Sequence, residues 1–149
     1  YFTKNKIKEI KDPTKKMSKT ETKPNSDISL FDSPEMVTKK IMGATTDSEN
    51  LVYFDEENKP GISNLLNIAS AISKRTVEDI ANEYKTAGYG NFKKYVASLT
   101  SQMISDIQEK YNHIISSGKL EEILNKGKEN SRKLAYEKMN QMKKKVGLN

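Results

Sequence analysis

From residue 33 onward apolar residues recur at helical spacing, and the breaks between periodic stretches are short. Ser33-Pro34-Glu35 marks the first helix start: serine suits the N-cap, proline the first helical position, and glutamate the positive end of the helix dipole. Met36, Val37, Ile41 and Ala44 follow as its apolar face, with Gly43 near its end. Residues 46–61 are polar, acidic and closed by Pro60-Gly61, which predicts an ordered loop with a brief extended piece at 51–54. Ile62, Leu65, Leu66, Ala69 and Ile72 trace one face of a second helix. Thr76 caps a third, with Asp79 as its box partner and Ile80 and Tyr84 on the buried side. Gly88-Tyr89-Gly90 interrupts the chain before a long helix, in which Phe92, Tyr95, Val96, Leu99, Met103, Ile107, Tyr111 and Ile114 keep one face apolar for about six turns. Ser117-Gly118 ends it. A last helix follows to about residue 146, with Leu120, Ile123, Leu124, Leu134, Ala135, Met139 and Met142 expected inward and its lysines outward. Gly147 closes this helix, and Lys143, Lys144 and Lys145 suit the negative end of its dipole. The pattern predicts a mainly α fold with antiparallel neighbouring helices.

Residues 1–31 behave differently. They show little helical period and much punctuation (Asp12-Pro13, then Lys23-Pro24-Asn25-Ser26), which predicts an extended lead-in and an exposed lysine-rich loop. Ile28, Leu30 and Phe31 supply a short strand or an anchoring turn.

Composition narrows the chemistry. The 149 residues include no cysteine and one histidine, His113, so thiolate metal sites and disulfides are excluded and no imidazole cluster is available to a transition metal. No long apolar run suits a bilayer and no signal peptide opens the chain, so the cytoplasm is the expected compartment and no membrane partner is expected. The chain opens on Tyr1 rather than methionine, as a fragment would. Its net charge of +6 is unevenly spread. Residues 1–24 carry +5, residues 25–118 carry −4, and residues 119–149 carry +5. A polyanion such as ATP or RNA could be met at either basic end.

The sharpest local signal is Pro13-Thr14-Lys15-Lys16-Met17-Ser18-Lys19-Thr20. Lys16 and Lys19, three positions apart on a loop, can both address one polyphosphate, because each ammonium is a compact charge on a flexible stem. Ser18 adds a hydroxyl donor. By composition alone the same residues are an ordinary solvated lysine run.

The flanks change that. Lys16-Met17-Ser18-Lys19-Thr20 resembles the KMSKS signature of class I aminoacyl-tRNA synthetases, with Thr20 where the signature usually has serine. Asp12-Pro13-Thr14-Lys15 before it is similar to the run that precedes the signature in tryptophanyl enzymes. So, in order and spacing, are Lys39-Lys40-Ile41, Ala44, Thr46-Asp47-Ser48-Glu49, the Lys59-Pro60-Gly61-Ile62-Ser63-Asn64-Leu65-Leu66-Asn67-Ile68 block, and Gly88-Tyr89-Gly90-Asn91-Phe92-Lys93. The resemblance covers nearly the whole chain and favours the tryptophanyl branch over the tyrosyl one.

Several expectations follow from the resemblance. Residues 1–31 are the end of a Rossmann catalytic domain that is otherwise missing, carrying its ATP loop, and 32–149 are a helical anticodon-binding domain whose last helix packs back on the catalytic domain. The family activates tryptophan with ATP, accompanied by Mg2+, to tryptophanyl-adenylate and transfers it to tRNA(Trp), working as a homodimer. Lys16 and Lys19 are the expected catalytic contacts to ATP phosphates, with Met17, Ser18 and Thr20 shaping the ATP-binding loop. The family's other ATP signature and its tryptophan pocket are absent, so the fragment alone is expected to be inactive. Tyr89, Lys93, Lys94, Arg132 and Lys133 are candidate tRNA contacts by residue type. The rival readings are a stand-alone helical RNA-binding module without synthetase activity and a purely structural bundle. No resident metal is expected. The Asp55-Glu56-Glu57 run reads as exposed loop, His113 as structural, and Thr46-Asp47-Ser48 as loop-ordering, since Asp and Ser bond nearby backbone.

Overall fold

A computed structural model of the chain describes residues 6–18 and 24–148. Five helices follow in order: α1 (Pro34–Met42), α2 (Pro60–Ser73), α3 (Val77–Tyr84), α4 (Gly88–Ser116) and α5 (Lys119–Lys145). No strand occurs among the described residues, only an isolated antiparallel bridge between Lys8 and Lys16. The mainly α expectation holds, and the extended piece expected at 51–54 is irregular loop.

The helix starts are built as the sequence dictates. Ser33 accepts a hydrogen bond from the Met36 backbone N–H, with Pro34 at the first helical position and Glu35 in the first turn. Thr76 accepts from the Asp79 N–H at 3.1 Å and caps α3. Helix α4 differs: it begins within Gly88-Tyr89-Gly90 instead of after it, and its cap comes from a distant side chain, the Asn50 amide oxygen, which accepts from the Tyr89 N–H at 2.8 Å.

The chain divides into two compact units, residues 1–108 and 109–149. The first holds the core. Val37 and Ile41 of α1, Val52 of the loop, Ile62, Leu65, Leu66 and Ala69 of α2, Ile80 of α3, and Phe92, Val96 and Ile104 of α4 are all buried, with Ile10 of the lysine segment among them. One close approach fixes how α2 meets the neighbouring loop. A Cβ at Gly61 would lie 2.0 Å from the Thr45 carbonyl oxygen, so only glycine lets the backbones meet there.

The second unit contains the end of α4 and all of α5, and no residue of α5 is buried. Ile123, Leu134 and Met142 are 64%, 68% and 54% exposed. This corrects the expected inward face of the last helix: the periodicity is amphipathic, but nothing described in this unit covers it. Along α4 the apolar face is buried only as far as Ile104; Ile107 and Tyr111 are exposed.

Candidate functional site

Before the lysine signature the backbone makes a narrow antiparallel hairpin. Glu9 N–H donates to the Lys15 carbonyl (2.9 Å) and Met17 N–H to the Ile7 carbonyl (3.0 Å), on either side of the Lys8–Lys16 bridge. The tip is a turn in which Lys15 N–H donates to the Asp12 carbonyl at 3.0 Å. Asp12 reinforces it: its carboxylate accepts from the Thr14 hydroxyl and N–H and pairs with Lys15 at 3.4 Å. The Thr14 hydroxyl, above all, holds the Asp12 carboxyl below its usual pKa. Asp12-Pro13-Thr14 is thus a structural turn that sets the hairpin's length.

Alternation along the returning limb sorts the signature. Met17 is half-buried against the core, which leaves the neighbouring Lys16 side chain exposed. Ser18 is half-buried. Lys19 and Thr20 lie outside the described residues. A cleft of about 340 Å³ opens beside the turn, lined by Lys8, Pro13, Thr14, Ser63 and Asn64 among others.

A second cluster, which sequence reading missed, centres on Lys59. Lys59, 2% exposed, donates to Asp47 (3.0 Å), Tyr89 Oη (2.9 Å), the Leu51 carbonyl (3.3 Å) and Glu49 (2.5 Å). Its ammonium lies 4.5 Å from the centre of the Tyr53 ring. The same Asp47 oxygen accepts from the Tyr89 hydroxyl and the Glu49 N–H, while its other oxygen is buried without a partner among the described residues. Burial disfavours the Lys59 charge, but the bonds to Glu49, Tyr89 and Asp47 outweigh it and raise the pKa. Burial also pushes Asp47 upward, and there too the Tyr89, Glu49 and Lys59 donors win and hold it down. The loop-ordering reading of Asp47 is what this geometry describes. A signal for Lys59 was present in the sequence: a lysine just before Pro60 stands at the positive end of α2, where a cation is unfavourable without carboxylates to meet it.

The candidate RNA contacts fall into two groups. Tyr89 and Lys93 are each 8% exposed. Tyr89 closes the cluster just described, and Lys93 donates to the Ala44 carbonyl (2.8 Å) and the Thr46 hydroxyl (3.3 Å), at the carbonyl end of α1. Burial, with Lys11 nearby, lowers the Lys93 pKa. Their reading as RNA contacts therefore gives way to a structural one, because their polar ends are already engaged inside the first unit. Lys94, Arg132 and Lys133 are exposed. His113 is exposed in the second unit, and no cluster of potential metal ligands exists among the described residues. Among the described residues, no helix is long and apolar enough to cross a membrane.

This hairpin and helical frame belong to a known family. Residues 2–105 match the one described as tRNA synthetases class I (W and Y), and the chain is a member of it. Within that family it is similar to tryptophan–tRNA ligases. It is 46% identical to the enzyme of Bacillus anthracis over 142 residues and 40% identical to that of Bacillus subtilis, in each case covering 95% of this chain and 43% of the relative. The crystal structure of tryptophanyl-tRNA synthetase from Campylobacter jejuni superposes with a TM-score of 0.74 at 30% identity, over 98% of this chain and 44% of that one. That from Mycoplasma pneumoniae gives 0.65 at 34% identity, over 72% and 35%. The chain thus spans under half the length of these relatives.

Proposed function

We propose that the chain is the C-terminal part of a tryptophan–tRNA ligase, contributing the ATP loop and the helical tRNA-binding domain. In the complete enzyme the tryptophan carboxylate attacks the α-phosphate of Mg-bound ATP, pyrophosphate leaves, and the adenylate is passed to tRNA(Trp). Negative charge grows on the departing pyrophosphate, so positioned cations do the catalytic work. Lys16 and Lys19 take that role, with Met17, Ser18 and Thr20 shaping the loop around the phosphates. The observation that carries this reading is the hairpin that half-buries Met17 and leaves Lys16 exposed, in a chain whose relatives are named tryptophan–tRNA ligases.

Residues 1–31 then close the catalytic domain and 32–149 form the tRNA-binding domain. The uncovered apolar face of α5 supports its packing back on the catalytic half. Lys94, Arg132 and Lys133 remain the candidates for steering tRNA, as exposed cations. The complete enzyme works as a homodimer in the cytoplasm.

The test is Lys19→Ala in the full-length ligase. Loss of a group aimed at developing charge lowers the rate by about 10²-fold, so tryptophan-dependent ATP–pyrophosphate exchange drops by that factor while tryptophan affinity holds. Exchange at the wild-type rate in this variant refutes the assignment. Salt-dependent tRNA binding with no exchange by the full-length wild type would instead favour an RNA-binding module.

A further inference from the structure

In an antiparallel ladder each residue of a non-bonded pair turns its own N–H and C=O away from the partner strand. Lys8 and Lys16 form such a pair, since the flanking bonds are Glu9 to Lys15 and Met17 to Ile7. The Lys8 peptide groups therefore face the opposite edge, where a third strand would normally take them. Here the side-chain amide of Asn64, one turn into α2, takes both. Its oxygen accepts from the Lys8 N–H at 2.8 Å and its nitrogen donates to the Lys8 carbonyl at 3.0 Å. The carboxamide has one acceptor and a donor pair in one plane, so it pairs with a peptide as another peptide would.

Asn64 is 4% exposed, on a helix whose neighbours Ile62, Leu65 and Leu66 are at most 1% exposed. Its position is therefore fixed by packing, and it transmits that position to Lys8 and across the bridge to Lys16. Two further residues engage the hairpin along the same edge. Ile10 N–H donates to the Ser26 carbonyl (2.8 Å), and Thr45 N–H donates to the Ile10 carbonyl (3.0 Å). The Thr45 hydroxyl adds a bond to the Lys11 carbonyl (2.8 Å), but among the described residues Asn64 alone meets both peptide groups of one hairpin residue with its side chain.

We propose that Asn64 is a positioning residue for adenylate formation, setting the height of the ATP loop by clasping both Lys8 peptide groups directly behind Lys16. This rests on the proposed ligase reading and assigns that site a residue outside its lysine signature. A buried Asn could equally serve stability alone, and the two roles differ in what they couple to. A residue acting through Lys16 has little left to act on once Lys16 is gone.

The experiment is a double-mutant cycle in the full-length ligase, with ATP–pyrophosphate exchange measured for wild type, Asn64→Ala, Lys16→Ala and the pair. Misplacing a catalytic group by about 1 Å costs up to ~10²-fold. Asn64→Ala is expected to lower kcat by about 10- to 100-fold with the KM for tryptophan within about two-fold. The double variant is expected to lose at least about three-fold less than the product of the single losses, as interacting sites do. Losses that multiply, or an unchanged kcat in Asn64→Ala, overturn the proposal. Should Asn64→Ala fail to fold, Asn64→Leu replaces it in the same cycle, since it keeps the side chain's bulk and branching and removes both bonds to Lys8 without adding a charge. A wild-type enzyme without exchange activity would sink the ligase reading itself, a different outcome from exchange that ignores Asn64.

Discussion

Replacing Lys59 with methionine isolates the energetics of the buried cluster, because the stem is kept and only the charge and its bonds are lost. The ammonium is 2% exposed and donates to Asp47, Glu49, Tyr89 and the Leu51 carbonyl. Removing one partner of a buried pair typically costs 3–5 kcal/mol, since the other charge is left buried and uncompensated. Two features place Lys59→Met near the lower end, at about 3 kcal/mol. Glu49 is 48% exposed and can turn to water, and Asp47 keeps the Tyr89 hydroxyl and the Glu49 N–H. Urea unfolding of the purified chain, followed by far-ultraviolet circular dichroism, is the assay. With a slope of about 1–3 kcal/mol per molar urea, the midpoint falls by about 1–3 M. The difference persists in roughly 1 M NaCl, because salt screens a buried pair weakly. A midpoint shift under about 0.3 M would mean that the cluster's bonds merely replace those water would make. The raised Lys59 pKa fixes the pH window: its contribution is fully present below the usual lysine value and lost only as pH rises through the folded one.

Three other expectations can be checked with the same material. Asp47 has a lowered pKa, so its contribution is present above the usual aspartate value and lost as pH falls through the folded one; Asp47→Asn should flatten the acid limb of the stability curve, and an unchanged limb would show that other carboxylates govern it. Gly61→Ala places a methyl group 2.0 Å from the Thr45 carbonyl oxygen and should cost about 1–3 kcal/mol by the same urea titration, whereas a neutral result would mean the α2 start slides freely. Leu134→Gln should change the unfolding of the chain by less than about 0.5 kcal/mol, because Leu134 is 68% exposed. In the full-length protein, the proposed packing of α5 on the preceding half predicts a loss on the order of 1–2 kcal/mol, and no loss there counts against that proposal.

Local signals carried much of the fold. Ser33-Pro34 and Thr76 start helices where their side chains cap free N–H groups, a rule that acts within one turn and is visible in any single sequence. Periodicity found the helices but not their depth. Leu124 and Leu134 recur at helical spacing as Leu65 and Leu66 do, yet the first two are exposed and the second two buried, because burial depends on what else reaches that face. In the site, the exposed Lys16 was legible from residue type and order. A lysine at the start of α2 signalled a need for carboxylates, but its partners and the Asn64 clasp were not legible, since these contacts join residues 8 to 56 positions apart that no spacing rule connects. Tyr89 and Lys93 show the same limit from the other side: an aromatic and a cation chosen as surface by type proved to be internal donors.

A hairpin with an open flank invites a stranger's backbone to zip alongside it, which is how many proteins begin to aggregate. In this chain that flank is already filled from within. The amide of Asn64 occupies the place at Lys8, and Ser26 and Thr45 occupy those at Ile10. An exposed lysine can thus be carried on a two-limbed ribbon without that ribbon becoming a template for β-assembly along that side.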